Sequence, residues 1–180
     1  MRLATEQDRD RVVATVLAAF ANDPAFQFFF PDPASYAADA AAFVRHLFDE
    51  RIGFGTVWVV DGGSAVAMWN PPNAVTADLS DGLSSAALAR LSRYDAAVHA
   101  HLPDQPHWYL GILATHPDQA GQAWGRLAMA QGLERARQDQ VPAVLEAVTA
   151  VNVQIYAGIG FQVVATVAVD PLEVRVMAQR

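Results

Sequence analysis

A single carboxylate interrupts a strongly apolar stretch in the second half of the chain. Glu146 lies within residues 143–148, Ala-Val-Leu-Glu-Ala-Val, whose composition predicts a strand. Burying a carboxylate without a partner is costly, and the loss of hydration raises its pKa. Such a group is suited to act as general base for an ammonium substrate, directly or through water. The alternative, given equal weight, is a glutamate at a sheet edge that reaches solvent or pairs with an arginine.

An anion site is predicted upstream of Glu146. An apolar strand over 107–115 leads through a turn that contains Gly121 and Gly125 into a helical pattern over 121–138. The first four amides of a helix lack intrahelical acceptors and the helix dipole is positive there, so a phosphate or pyrophosphate is the natural ligand. The alternative is an ordinary strand-turn-helix in which Gly121 only fixes a tight bend.

Asn152 and Tyr156 are spaced to address one ligand. They lie four residues apart in a short predicted helix over 150–158, so both side chains share one face of it. The alternative is that Tyr156 is a half-buried aromatic residue and Asn152 a helix N-cap.

The stretch that contains this pair resembles a signature of the GNAT N-acetyltransferase superfamily, Asn-x-x-x-Tyr-x-x-x-Gly-Phe. Asn152, Tyr156, Gly160 and Phe161 occupy all of its fixed positions. In that family a preceding turn, Gln/Arg-x-x-Gly-x-Gly/Ala, cradles the pyrophosphate of acetyl-CoA. The resemblance covers most of the chain, loosely before residue 100 and more closely after it.

The turn of this chain departs from the family pattern. Ala120 stands where the family has Gln or Arg, Ala123 stands at the first Gly, and Gly125 matches the last position. Because backbone groups hold the phosphates, Ala123 keeps the N–H that matters. We expect an alanine to fit there if its φ is negative, as in the first turn of a helix, although its methyl group could crowd the phosphates.

The resemblance implies transfer of an acetyl group from acetyl-CoA, the co-substrate, to a primary amine by direct attack. Tyr156 would be the general acid that protonates the coenzyme A thiolate, and Glu146 is the candidate general base. Asn152 would hydrogen-bond the pantetheine arm or hold the start of its helix. The donor would be bound by backbone groups of the strand end and the turn, namely Leu113, Ala114, Thr115, Gly121, Gln122, Ala123, Trp124, Gly125 and Arg126.

Aromatic residues are the candidates for the acceptor pocket. Phe28 and Phe29 belong to a phenylalanine-rich turn, and Trp69 precedes a loop. Core packing is the simpler explanation for at least two of the phenylalanines of that turn, but in the family the first helices line the acceptor pocket. His107 and Tyr109, on one face of the strand before the turn, are further candidates for contact with the substrate and for the base.

Two short runs narrow the resemblance. The sequence Ala-Phe-Ala-Asn-Asp-Pro at 19–24 and the strand His-Trp-Tyr-Leu-Gly at 107–111 look like the puromycin N-acetyltransferase subgroup. This likeness favours a small-molecule amine over a protein tail as the acceptor.

The pattern of elements predicts an α/β fold, layered as α+β, in a single domain over 1–180. Helices are expected over 6–21 and 34–51 with a short aromatic turn at 25–30 between them, then a hairpin of strands 57–60 and 65–69. One or two helices before residue 103 could cover a pocket. Strands 107–115, 143–148, 161–168 and 173–177 complete a mixed, mostly antiparallel sheet with helices on both faces. The GNAT resemblance adds that strands 107–115 and 143–148 splay apart.

Composition limits the other functions. A net charge of −7 argues against a nucleic-acid partner and is compatible with a cationic acceptor. The absence of cysteine excludes disulfides, thiolate metal sites and a cysteine nucleophile, and the histidines lack metal-ligand spacing, so no metal is expected. No apolar run reaches the roughly 18 residues of a membrane span, so we expect a cytoplasmic protein without membrane partners. A homodimer is left open.

Two rival functions remain. The first is a GNAT-fold protein whose altered turn has lost catalysis and which binds coenzyme A, another ligand or a protein partner. The second is an unrelated α/β domain in which the match at Asn152 and Tyr156 is accidental. A sheet without splayed strands would support the second.

Overall fold

A seven-stranded sheet forms the centre of the computed structural model, which describes residues 1–77, 79 and 82–180. The strand order is β1-β2-β3-β4-β5-β7-β6, and only the β4–β5 pair is parallel. The strands are β1 (Arg2–Leu3), β2 (Val57–Val60), β3 (Ala65–Asn70), β4 (Trp108–Thr115), β5 (Ala143–Ala147), β6 (Gln162–Val169) and β7 (Leu172–Gln179). The helices are α1 (Arg9–Ala19), α2 (Pro24–Phe29), α3 (Tyr36–Phe54), α4 (Ser85–His99), α5 (Trp124–Gln138) and α6 (Ala150–Ala157).

Both predicted hairpins form. Strands β2 and β3 pair antiparallel from Val57 opposite Met68 to Val60 opposite Ala65. The connection contains Gly62 and Gly63, whose φ angles of 61° and 97° lie in the region that glycine adopts at low cost. Strands β6 and β7 form the second hairpin, from Gln162 opposite Ala178 to Val169 opposite Leu172.

Strands β4 and β5 splay apart, as predicted. They pair only from Trp108 opposite Ala143 to Leu110 opposite Leu145. Beyond that point β4 continues beside β3 and β5 continues beside β7, which leaves a gap in the sheet. A β-bulge lies where β4 diverges from β5. Trp69 pairs with Leu110 and Met68 pairs with Ile112, which leaves Gly111 as the extra residue of β4.

Helices cover both faces of the sheet, since successive side chains of a strand point to opposite faces. On one face, Val59, Val66 and Met68 pack in a core with α1, α2, α3 and α4. On the other, Trp58, Val60, Ala67 and Trp69 pack with α5. The helices α1 to α4 therefore lie together over one face of the gap.

Several boundaries differ from the sequence prediction. The aromatic stretch predicted as a turn is the helix α2, which begins at Pro24 because the Asp23 carboxylate accepts from the amides of Ala25 and Phe26. Strand β1 was not predicted, since two residues are too few to show a period. The predicted first helix begins as a 3-10 turn, Glu6–Asp8.

Within the described residues, no helix is long and apolar enough to cross a bilayer.

Candidate active site

Glu146 is held by two tyrosine hydroxyl groups. Tyr94 Oη, from α4, donates to Glu146 Oε2 at 2.6 Å, and Tyr109 Oη, from β4, donates to Glu146 Oε1 at 2.8 Å. Strand β5 lies inside the sheet between β4 and β7, so the alternative of a sheet-edge glutamate is wrong. Its partners are phenols, and no arginine pairs with it among the described residues.

Burial raises the pKa values of all three groups. Desolvation raises the pKa of Glu146, and the hydrogen bonds from Tyr94 and Tyr109 oppose that rise because they favour the charged carboxylate. Desolvation, followed by the negative charge of Glu146, raises the pKa of Tyr94 and of Tyr109 well above the ordinary value. Both phenols therefore keep their protons at neutral pH and remain donors to Glu146.

Glu146 opens into a cavity of about 650 Å³ on the side of the sheet that α1 to α4 cover; we call it the Glu146 cavity. Phenylalanines from α2 and α3 form an apolar wall, with Phe26, Phe29 and Phe43 in mutual ring contact. Helix α4 contributes Tyr94, so the segment predicted to cover a pocket does so. The cavity holds both an apolar surface and charged groups, which suits a small organic molecule with a polar end.

A second, smaller cavity of about 370 Å³ lies between the N-terminal half of α5 and α6; we call it the α5–α6 cleft. Leu113 and Tyr156 line both this cleft and the Glu146 cavity. Leu113 belongs to the part of β4 that no longer pairs with β5. The two cavities are therefore neighbours at the gap between the splayed strands, with Leu113 and Tyr156 in the walls of both.

The turn before α5 presents free amides. The first intrahelical bond recorded at this end runs from Leu127 N to Ala123 O, so the amides of Trp124, Gly125 and Arg126 have no acceptor within the helix. Gly125 allows the helix to begin close to β4, because a Cβ there would lie 3.1 Å from Thr115 Oγ1. The condition under which an alanine was expected to fit, a negative φ, is not met at Ala123: its φ is 57° and its ψ is 18°, which is the left-handed region.

Helix α6 directs Asn152 and Tyr156 into the Glu146 cavity. The helix is capped by Thr149, whose Oγ1 accepts from Asn152 N at 3.1 Å, so the alternative of Asn152 as N-cap is wrong. Neither side chain has a hydrogen-bond partner among the described residues. Burial, with the negative charge of Asp23, raises the pKa of Tyr156 to about 12, so its hydroxyl is protonated at neutral pH.

Comparison with solved structures identifies the architecture. A histone acetyltransferase HPA2 and related acetyltransferase from Corynebacterium glutamicum ATCC 13032 is 25% identical, with a TM-score of 0.74 over 98% of this chain and 93% of that one. An acetyltransferase attributed to the GNAT family from Desulfovibrio desulfuricans is 15% identical, with a TM-score of 0.61 over 100% of this chain and 96% of that one. An agmatine N-acetyltransferase in its apo form is also 15% identical, with a TM-score of 0.61 over 98% of this chain and 96% of that one. No protein-family model matches the sequence.

The chain has the GNAT fold. The comparisons agree with the splayed sheet and with the helices on both faces, and they extend over nearly the whole chain. The rival prediction of an unrelated α/β domain is therefore wrong.

Within the GNAT fold, eight of the seventeen predicted site residues line one of the two cavities. Glu146, Tyr109, Phe29, Asn152 and Tyr156 line the Glu146 cavity. Leu113 lines both cavities, and Gly125 and Arg126 line the α5–α6 cleft. The remaining predicted donor residues continue along β4 and the exposed turn, namely Ala114, Thr115, Gly121, Gln122, Ala123 and Trp124.

Three predicted acceptor residues lie away from the Glu146 cavity. Trp69 is 0% exposed and packs with α5 on the opposite face of the sheet, because it alternates with Met68 along β3. Phe28 packs under the guanidinium of Arg93, at 4.9 Å from its ring centre. His107 precedes β4, and its Nδ1 lies 3.0 Å from Gln105 O. These three residues are not brought to the cavity.

Sequence reasoning missed Tyr94 and Arg51, which both line the Glu146 cavity. Tyr94 is 52 positions from Glu146, and Arg51 reaches the cavity from the last turn of α3. The amphipathic pattern of α4 placed Tyr94 on the buried face, but nothing in the pattern identifies its partner. Among the described residues, no three histidine, aspartate or glutamate side chains are grouped to hold a metal ion.

Proposed function

We propose that this protein is an acetyl-CoA-dependent N-acetyltransferase that transfers an acetyl group to the primary amine of a small molecule by direct attack. The observation that carries the proposal is that two neighbouring cavities, one of them lined by Glu146, share Leu113 and Tyr156 in their walls. A two-substrate transfer without a covalent enzyme intermediate needs such neighbouring sites for the thioester and the amine.

Acetyl-CoA would occupy the α5–α6 cleft. The free amides of Trp124, Gly125 and Arg126 would bind the pyrophosphate, with the exposed turn of Gly121, Gln122 and Ala123 completing the cradle. The backbone of Leu113, Ala114 and Thr115, which no longer pairs with β5, would bind the pantetheine arm in the manner of an added strand. Asn152, whose side-chain amide has no partner among the described residues, would donate or accept at the same arm.

The amine would bind in the Glu146 cavity. The volume of about 650 Å³ lies within the usual range for small-molecule sites, and a long protein segment would need an open groove instead. Glu146 would accept a proton from the ammonium group, directly or through water, with Tyr94 and Tyr109 fixing its orientation. The likeness of two sequence runs to the puromycin N-acetyltransferase subgroup also favours a small amine.

Tyr156 would donate to the sulphur as negative charge develops on it. The phenol, with a pKa of about 12, holds its proton at neutral pH. A thiol has a pKa of about 8.5. Complete proton transfer to a free thiolate is therefore unfavourable, and the contribution of Tyr156 would come from a hydrogen bond that strengthens in the transition state.

The proposal is tested in two steps. Calorimetric titration with acetyl-CoA measures donor binding, and incubation with acetyl-CoA and a panel of small primary amines, monitored by release of free thiol, measures transfer. Saturable heat together with amine-dependent thiol release is the expected result. Binding without release from any amine would favour the rival GNAT-fold protein that has lost catalysis, and no binding at millimolar acetyl-CoA would contradict the donor site itself.

A further inference from the structure

A buried guanidinium lies in the wall of the Glu146 cavity. Arg51, in the last turn of α3, is 4% exposed and lines the cavity. Its Nη1 donates to Leu47 O at 3.1 Å and to Glu50 Oε2 at 3.4 Å. Its Nε is buried with no hydrogen-bond partner, and its Nη2 has none among the described residues.

The Glu50 carboxylate satisfies this cation only in part. Its Oε1 accepts from Ala77 N at 2.7 Å, and the 3.4 Å contact with Arg51 is long for a charge-assisted bond. An unpaired donor on a buried charge is more costly than one on a neutral group. Nη2 is the donor left for an acceptor, because Nε is sealed inside the protein, and a charge-assisted N–H bond suits a carboxylate oxygen.

The position of Arg51 relates it to the proposed base. A Cβ built on Gly111, the bulge residue of β4, would lie 3.1 Å from Arg51 Nη2 and 3.5 Å from Tyr109 Cε1. Tyr109 in turn donates to Glu146. The guanidinium of Arg51 and the ring of Tyr109 therefore both lie beside Gly111, and the hydroxyl of the same tyrosine holds the carboxylate of Glu146. The cavity presents a cation and an anion to the same small ligand.

We propose that Arg51 binds a carboxylate carried by the acceptor, so that the substrate is an aminocarboxylate whose amine and acid groups are several bonds apart. The ammonium end would lie at Glu146 and the carboxylate at Nη2 of Arg51. The phenylalanine wall between them would contact the apolar body of the molecule. This inference rests on the proposed function and specifies its substrate class.

Matched pairs of probes test the inference. The ω-amino acids from 3-aminopropanoate to 6-aminohexanoate are compared with the alkylamines of the same chain length, by release of free thiol from acetyl-CoA. For at least one chain length, kcat/KM should be about 10 to 100 times higher for the amino acid, as expected for a charged hydrogen-bonded pair. Arg51→Gln should remove this advantage and leave the matched alkylamine nearly unchanged.

A second variant should increase the preference for ω-amino acids over alkylamines. Glu50→Gln removes the negative charge beside Arg51, so the preference for the carboxylate should increase while alkylamine turnover stays the same. This variant keeps the guanidinium, so it tests the inference even if Arg51→Gln does not fold. Thermal unfolding and circular dichroism of each variant report on the fold.

Three outcomes would overturn the inference. If the wild-type protein has equal kcat/KM for alkylamines and for the matched ω-amino acids, Arg51 has no ligand of this kind, while the proposed function would stand. An Arg51→Gln variant that loses the same factor with both members of a pair would make Arg51 a structural residue. Absence of turnover with every amine would remove the proposed function and this inference with it.

Discussion

Glu146 is the residue whose environment bears most directly on pH dependence. Desolvation raises its pKa, and two phenol hydrogen bonds oppose that rise. As a base it is inactive when protonated, so activity should fall as pH drops through its raised pKa. Glu146→Gln should lower kcat/KM by about 10² to 10⁴ and flatten the acidic limb of the pH profile. Steady-state rates across pH measure both effects.

Variants of the two tyrosines that donate to Glu146 provide a second test of its role as the base. Tyr94→Phe and Tyr109→Phe each remove one hydrogen bond to the charged carboxylate. Since that bond lowers the pKa of Glu146, its loss should raise the pKa, and the acidic limb should move to higher pH. If the acidic limb of the pH–rate profile does not move in either tyrosine variant, the proton transfer belongs to another group. The same conclusion would follow if Glu146→Gln left the pH–rate profile unchanged.

Tyr156→Phe tests the proposed donor to the leaving sulphur. The ring contact with Phe161, at 6.0 Å between centroids, survives in phenylalanine, so thermal stability should change little. Loss of one hydrogen-bond donor that acts in the transition state costs about 10² to 10³ in rate, and the loss should fall on kcat with acetyl-CoA affinity retained. Near-full kcat in Tyr156→Phe would reduce Tyr156 to a packing residue.

At the scale of an element, the turn before α5 contains avoidable strain. Ala123 has a φ of 57°, and a left-handed conformation costs an alanine roughly 1 kcal/mol. Glycine removes that cost but loses more entropy on folding, so Ala123→Gly should be neutral or stabilising by up to about 1 kcal/mol. Because the backbone of the turn is preserved, acetyl-CoA should bind at least as tightly by calorimetry.

Ala120 is the matched control for this turn. Its φ is −60° and its ψ is 148°, an extended conformation that any residue adopts. Ala120→Gly therefore relieves no strain and should be neutral or destabilising. If Ala120→Gly and Ala123→Gly shift the unfolding temperature equally, strain at Ala123 is not the cause.

Helix α5 packs against the sheet only because Gly132 has no side chain. A Cβ at that position would lie 2.2 Å from Trp69 Cε2, so the helix or the buried ring would have to shift. Gly132→Ala should destabilise the protein by roughly 1 to 3 kcal/mol or more, measured by chemical denaturation. Because α5 also carries the free amides of the donor cleft, acetyl-CoA binding should weaken as well.

Gly53 in α3 supplies the control for Gly132. It too is a helical glycine, but a Cβ built there meets nothing within 4 Å. Gly53→Ala should be neutral or stabilising by up to about 1 kcal/mol through helix propensity. A Gly132→Ala variant as stable as Gly53→Ala would show that α5 can shift away from Trp69 at little cost.

For the whole molecule, local patterns predicted the elements and the resemblance predicted the splay. Apolar strands were enough for the two hairpins, with a glycine turn in the first and Asp170-Pro171 in the second, and the Asn-Tyr spacing was enough to bring Asn152 and Tyr156 to one face. What depends on contacts between distant segments was not predictable. The bond from Tyr94 to Glu146 spans 52 positions, and no local period specifies it.

The errors have the same origin. Trp69 was assigned to the acceptor pocket because its type suits a ligand wall, but the strand register decides which face it occupies, and register is set by pairing with β4. An alanine at position 123 was expected to fit the turn if its φ were negative, and no local pattern showed that the residue before α5 is left-handed.

The kinetic mechanism is a property of the whole architecture. Two neighbouring cavities that share Leu113 and Tyr156 in their walls can hold the donor and the acceptor together, and the chain has no cysteine to carry an acetyl group. Initial rates measured over a grid of acetyl-CoA and amine concentrations should therefore give intersecting double-reciprocal lines, as for a ternary complex. Mass spectrometry of protein incubated with acetyl-CoA alone should find no acetylated enzyme that an amine then discharges. Parallel lines together with such a species would require a covalent intermediate, and direct attack of the amine on the thioester would have to be abandoned.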